Sequence, residues 1–117
     1  MKENILKYIN ELEGFKTFIK NAHWASKNMQ THKLYDDIAD SVSNIQDKIS
    51  EISQGLFGKI NKGELKPVSY GELGEQEFLS KLLETSKTFY SSIKEGDDYI
   101  GLRSEMETFI GEISQFK

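Results

Sequence analysis

The fold is decided by residues 31–55, THKLYDDIADSVSNIQDKISEISQG. Apolar residues recur in this segment at steps of three or four, the spacing that places side chains on one face of an α-helix. The stripe consists of Leu34, Ile38, Val42, Ile45, Ile49 and Ile52. Thr31 is a suitable N-cap and Gly55 a suitable C-terminal stop, so the pattern predicts one amphipathic helix across the segment.

Three further segments carry the same helical pattern. They run from Ile5 to Ala22, from Phe78 to Ile93 and from Leu102 to Phe116. No strand pattern or internal repeat is present. The 117 residues are therefore predicted to form a single all-α domain, 1–117, in which four helices pack as a bundle.

The connections between these helices predict the topology. Short breaks near 26–30 and 95–97 make each flanking pair of helices an antiparallel hairpin. Residues 55–75 lack periodicity and form a link of about 20 residues, which can travel the length of the bundle as the single crossover of ferritin-like bundles does. A functional loop or a disordered one is the alternative for this segment.

Composition excludes several function classes. The chain has no cysteine, so disulfides, thiolate metal sites and cysteine nucleophiles are absent. A net charge of −4 with scattered lysines argues against nucleic-acid binding. No apolar run approaches the roughly 20 residues of a membrane span, and the N-terminal residues lack the apolar segment of a signal peptide, so a cytoplasmic location is expected.

Candidate metal ligands cluster around the second helix. His23 and His32, the only histidines, flank the first break. His32 and Asp36 are four residues apart and form a pair on one helix face, and a second such pair consists of Asp47 and Glu51. A helical wheel places His32, Asp36, Asp47 and Glu51 on one polar strip that faces away from the apolar stripe.

One copy of this polar strip cannot surround a single metal ion. Asp36 and Asp47 lie about 16 Å apart along a helix, whereas bonds from metals to ligands are near 2 Å. If two copies pack antiparallel about a two-fold axis near Val42, His32 and Asp36 of one subunit face Asp47 and Glu51 of the other. The small residues Ala39 and Ser43 would let the two helices approach closely.

The succession His23-Trp24, His32, Asp36, Asp47, Glu51 resembles the ferroxidase signature of the Dps (DNA protection during starvation) family of the ferritin superfamily. The resemblance covers roughly residues 15–55, and short Dps-like proteins encoded by bacteriophages are the most similar. It implies that His23, His32 and Asp36 meet an aspartate and a glutamate of the two-fold mate, here Asp47 and Glu51. The two histidines are closer in sequence than in typical Dps proteins, and a Lys-rich N-terminal tail is missing, so DNA binding is not expected.

This resemblance further implies an iron-binding protein that oxidises Fe(II) with peroxide or dioxygen at a di-metal site, with zinc or manganese as substitute metals. It implies self-association, a homodimer at least, with a dodecamer as the larger alternative. Trp24 is expected to pack at the helix end, with a supporting role beside the site as the alternative, and Tyr35 to border the interface. Asp37 and Asp40 are expected to lie on a solvated helix face without a role in the site.

Two other functions stay open. The first is a catalytically inactive ferritin-like bundle that acts as a phage accessory binding or structural protein, with residues 55–75 as its contact surface. The second, a dimer that sequesters a small ligand, has no residue in its favour. The sequence contains no Gly-rich phosphate loop and no Ser/His/Asp arrangement that would indicate another class of enzyme.

Overall fold

The computed structural model describes all residues from Met1 to Lys117 and contains four α-helices and no β-strand. The helices are α1 at Lys2–Ala25, α2 at Met29–Phe57, α3 at Glu75–Ser92 and α4 at Ile100–Gln115. Single turns of 3-10 helix lie at Lys62–Glu64 and Asp97–Tyr99. The predicted all-α architecture of four helices is confirmed, and no helix has the length and apolar character needed to cross a membrane.

Both ends of α2 differ from the predicted ones. Asn28, not Thr31, is the N-cap: its side-chain Oδ1 accepts a 2.8 Å hydrogen bond from the backbone N–H of Thr31, which already lies in the first turn. The prediction of a stop at Gly55 was also wrong, because α2 continues to Phe57. Gly58 ends the helix with φ of 88°, a backbone conformation that glycine adopts without a steric cost.

The four predicted apolar stripes form one hydrophobic core. α1 packs mainly against α2 and α3, and α4 packs mainly against the same two helices. The completely buried aliphatic residues include Ile5, Leu12, Ile38, Val42, Ile49, Leu82, Leu102 and Met106. Each such side chain contributes about 1.5–3 kcal/mol of transfer free energy, so burial of these stripes is what orders the helices.

The α2–α3 connection, residues 58–74, is held against α1. Asn10 donates from its amide nitrogen to the carbonyl oxygen of Glu64 and accepts at Oδ1 from the backbone N–H of Lys66. Its own carbonyl oxygen accepts a third bond from the N–H of Val68. At Gly14 the connection comes so close that a Cβ would overlap the Val68 carbonyl. These contacts give the long connection a defined path along α1.

Candidate metal centre

The turn between α1 and α2 brings the two histidines together. Only residues 26–28 separate the helices, so the last turn of α1 lies beside the first turn of α2. His23 belongs to the former and His32 to the latter. Their ring centroids are 3.7 Å apart with the planes at 35°, which places both imidazoles at one point on the bundle.

Asp36 completes a cluster of three ligand groups with these histidines. It follows His32 by about one helical turn, as the four-residue spacing predicted. Each of the three side chains offers one ligand atom within 4.8 Å of the other two. We call His23, His32 and Asp36 the ligand triad. Two imidazoles and one carboxylate form a donor set that suits Fe(II) and also Zn²⁺.

An unpartnered buried nitrogen indicates that the ligand triad fits a metal ion. His23 Nε2 is buried and accepts or donates no hydrogen bond, although Asp36 Oδ1 lies 2.9 Å away. The 2.9 Å between the two atoms is within hydrogen-bonding range, so it is the angle at the ring nitrogen that does not fit a hydrogen bond. Buried polar atoms without a partner are rare in folded proteins, and a metal ion between the two atoms would satisfy both.

The structure does not bring Asp47 and Glu51 into contact with the ligand triad. Both are exposed and lie further along α2, on the outward side of the helix. Asp36 is exposed as well and His32 is half-buried, which agrees with a polar strip that faces away from the core. Within one chain the candidate site therefore has three ligands, and its other side is open.

The interior of the bundle offers no competing metal site. Its buried polar residues are Gln46, Ser53, Thr85 and Ser86, none of which is acidic or a histidine. Tyr8 and Tyr35 are buried as well, and the Tyr8 hydroxyl is bonded to Ser86. A di-metal site formed by facing helices inside the subunit is therefore excluded for this chain.

A groove of about 440 Å³ runs from the ligand triad along the surface between α1 and α2. Its lining includes both members of the small-residue pair, Ala39 and Ser43, as well as three charged residues of α1. Those residues are Glu13, Lys16 and Lys20. Because Ala39 and Ser43 have small side chains, they leave room for another helix to approach the groove.

A polar network at the end of the groove was not predicted from the sequence. The Gln46 amide donates 2.8 Å to Glu13 Oε2, and Lys16 Nζ donates 2.9 Å to Gln46 Oε1. Lys16 also lies 3.5 Å from the Glu13 carboxylate. A signal was available, because Glu13 and Lys16 have the i,i+3 spacing of a helical ion pair, but nothing in the sequence linked them to Gln46.

Trp24 occupies an environment other than the expected one, whereas the expectation that Tyr35 borders an interface stays a prediction. The prediction that Trp24 packs at the helix end was wrong within this subunit: its side chain is 68% exposed, with Lys20 Nζ 5.0 Å from the ring centroid. Tyr35 is buried against Phe78, although it also lines the groove. Burial raises the pKa of Tyr35, and the Glu75 carboxylate acts in the same direction, so the phenol stays protonated.

Comparisons with protein-family models, with curated proteins and with solved structures gave no match for this chain.

Proposed function

We propose that this chain is a Dps-like member of the ferritin superfamily that binds Fe(II) and oxidises it at a di-metal site shared across a two-fold subunit interface. The observation that carries the proposal is the ligand triad, whose buried His23 Nε2 has no hydrogen-bond partner. Both histidines of the chain are used in this one cluster. Asp36 Oδ1 lies 2.9 Å from this nitrogen, so a metal ion would bind where an imidazole and a carboxylate already meet.

The directions of the helices support a ferritin-like topology. Near the two ends of α3, Phe78 lies against Phe15 and Phe89 stacks on Tyr8, so α3 runs antiparallel to α1. Since α1 and α2 form an antiparallel hairpin, α2 and α3 point the same way, which supports a connection that crosses from one end of the bundle to the other. A single long crossover of this kind is the feature that separates ferritin-like bundles from simple up-down bundles.

A second copy would supply the missing ligands. Asp47 and Glu51 lie one turn apart on α2, as His32 and Asp36 do, so an antiparallel pair of α2 helices presents each pair to the other. The site then holds two imidazoles and three carboxylates, enough for two metal ions. Without metal, opposed carboxylates would repel each other across the interface, so metal binding and dimer formation are coupled.

In this reaction Fe(II) is the substrate, and the chain's residues hold it. His23 and His32 bind as neutral imidazoles, while the carboxylates of Asp36, Asp47 and Glu51 stabilise the higher charge of Fe(III). With peroxide as oxidant, two Fe(II) each lose one electron, and one peroxide with two protons takes up both electrons to give two waters. Two irons at one site allow this two-electron reduction to occur without release of a radical.

An anaerobic Fe(II) titration followed by addition of peroxide tests the proposal. We expect saturable binding of about two Fe(II) per chain and rapid growth of ferric absorbance. The variant His32→Ala/Asp36→Ala should lose both. The matched control Lys33→Ala/Asp37→Ala removes the neighbouring residues of the same helix and should keep both. Binding no greater in the wild type than in the ligand variant would refute the iron-oxidation proposal.

The alternative, an inactive bundle that acts as a phage accessory binding or structural protein, draws support from the α2–α3 connection. Leu65 and Val68 in that segment are 44% and 38% exposed, so the connection presents two apolar side chains at the surface. The same titration separates the two functions. Saturable metal binding without any oxidation by peroxide or dioxygen would favour the inactive bundle.

A further inference from the structure

A cleft between α1 and α3 is lined almost entirely by polar side chains. Its volume is about 240 Å³, and Phe89 is its only hydrophobic lining residue. Pockets for drug-sized ligands have roughly 300–1,000 Å³ and mostly apolar walls. The size and polarity of this cleft therefore suit a small and highly polar molecule. It shares no residue with the ligand triad and is a separate place on the bundle.

Charged side chains of both signs line this cleft without pairing with each other. Each helix supplies one lysine and one glutamate: Lys7 and Glu11 on α1, and Lys81 and Glu84 on α3. None of the four takes part in an ion pair of the chain. Their charges sum to zero, so a ligand that complements all of them carries both a positive and a negative group.

Glu11 is the least solvated of these charged groups. It is half-buried, whereas Lys7, Lys81 and Glu84 are exposed. Burial raises the pKa of the Glu11 carboxyl, although the charges of Lys7 and Lys81 act in the opposite direction. Both lysines thus lie near enough to act on Glu11 but form no ion pair with it. An ammonium group in the cleft would replace the solvation that this carboxylate has lost.

Thr85 supplies a hydroxyl that has no hydrogen-bond partner. The residue is only 8% exposed, yet its hydroxyl makes no hydrogen bond within the chain, whereas the hydroxyl of the next residue, Ser86, bonds to Tyr8. His23 Nε2 is the only fully enclosed side-chain nitrogen or oxygen without a partner, so the Thr85 hydroxyl keeps access to open space. The cleft is the space that Thr85 lines, and a carboxylate bound there would accept its hydrogen.

We propose that the α1–α3 cleft binds a small zwitterion with the ammonium and carboxylate groups of a free α-amino acid. The two glutamates hold the ammonium group, while the two lysines and the Thr85 hydroxyl hold the carboxylate. This arrangement gives every unpaired polar group of the cleft a partner of the opposite kind. The activity is the binding of a metabolite, and it does not depend on the iron chemistry of the ligand triad.

Three probes that share one carbon skeleton test which groups the cleft recognises. L-alanine has both charges, propionate lacks the ammonium group, and ethylamine lacks the carboxylate. In an NMR titration of the full ¹⁵N-labelled chain at neutral pH, L-alanine should bind saturably and shift the backbone amide signals of the residues that line the cleft. Propionate and ethylamine should each bind at least about tenfold more weakly, because each leaves one pair of charges without a partner. Equal binding of the three probes, or no saturable binding of L-alanine, would overturn the proposal.

Thr85→Val provides a second test with a matched control. Since the Thr85 hydroxyl has no partner in the free protein, the substitution should leave the thermal unfolding midpoint unchanged or raise it, while L-alanine binds about tenfold more weakly. Thr108→Val, at an exposed position of α4, should leave L-alanine binding as it is in the wild type. Undiminished binding by Thr85→Val would contradict the assignment. The iron titration involves none of these residues, so either proposal can fail without the other.

Discussion

At the scale of single residues, the candidate site follows from two kinds of neighbour. His32 and Asp36 are adjacent because a helix brings residues four apart onto one face, so sequence spacing alone predicts their contact. His23 joins them because only three residues separate α1 from α2. The short interruption of the apolar pattern between the two helices also indicates this turn. Both relationships are local in sequence, and for this reason the ligand triad could be predicted.

The residue predictions that failed depend on information that the sequence does not contain locally. Thr31 and Asn28 are both good capping residues, and only the point at which the backbone leaves the turn selects Asn28. Trp24 has the hydrophobicity of a core residue, but it lies on a face of α1 that no other element of the subunit covers.

A buried hydroxyl pair gives a prediction for the core. Tyr8 is completely buried, and its hydroxyl lies 2.7 Å from the Ser86 hydroxyl, itself buried. Tyr8→Phe and Ser86→Ala should each lower the free energy of unfolding by about 1–2 kcal/mol, because each leaves one polar group buried without its partner. The double variant should lose about 1 kcal/mol less than the sum, since no unpaired group remains.

Urea unfolding of the wild type, both single variants and the double variant measures this coupling. Losses that add within error would show that the Tyr8 and Ser86 hydroxyls do not depend on each other.

At the scale of elements, the length of the α2–α3 connection predicts its role as a crossover but not its path. About 20 residues without periodicity indicate a crossover, but they do not reveal the path. That path is set by contacts distant in sequence: three hydrogen bonds at Asn10, the close approach at Gly14, and the stacking of Tyr70 on Phe15 at 4.1 Å. None of these residues has a pattern that identifies its partner.

Two helical glycines provide a matched test of this path. Gly14→Ala should destabilise the protein by about 1–3 kcal/mol, because the new Cβ would overlap the Val68 carbonyl and push the connection away from α1. Gly111→Ala, at a position in α4 with open space around it, should stabilise the protein by about 0.5–1 kcal/mol through helix propensity alone. Thermal or urea unfolding of both variants gives the two signs.

If Gly14→Ala were instead as stabilising as Gly111→Ala, the connection would not pack against α1 as described.

At the scale of the whole molecule, one chain holds only part of the proposed site. The ligand triad lies at one end of the groove, while Asp47 and Glu51 lie far along α2 and contact none of it. The fold of the subunit could be predicted because its stripes are periodic and its core is formed within the chain. The assembly is a proposal that rests on ligand chemistry, since Asp47 and Glu51 take part in no ion pair within the subunit.

The most direct test of the shared site is complementation between two inactive variants. His32→Ala/Asp36→Ala and Asp47→Ala/Glu51→Ala should each fail to oxidise Fe(II) when alone. A heterodimer of the two retains one complete site, with the triad from one chain and the carboxylates from the other. An equimolar mixture, with subunit exchange verified on tagged chains, should therefore recover up to about one quarter of the wild-type rate per chain. No recovery on mixing, or full activity of Asp47→Ala/Glu51→Ala alone, would contradict a site built across the two-fold interface.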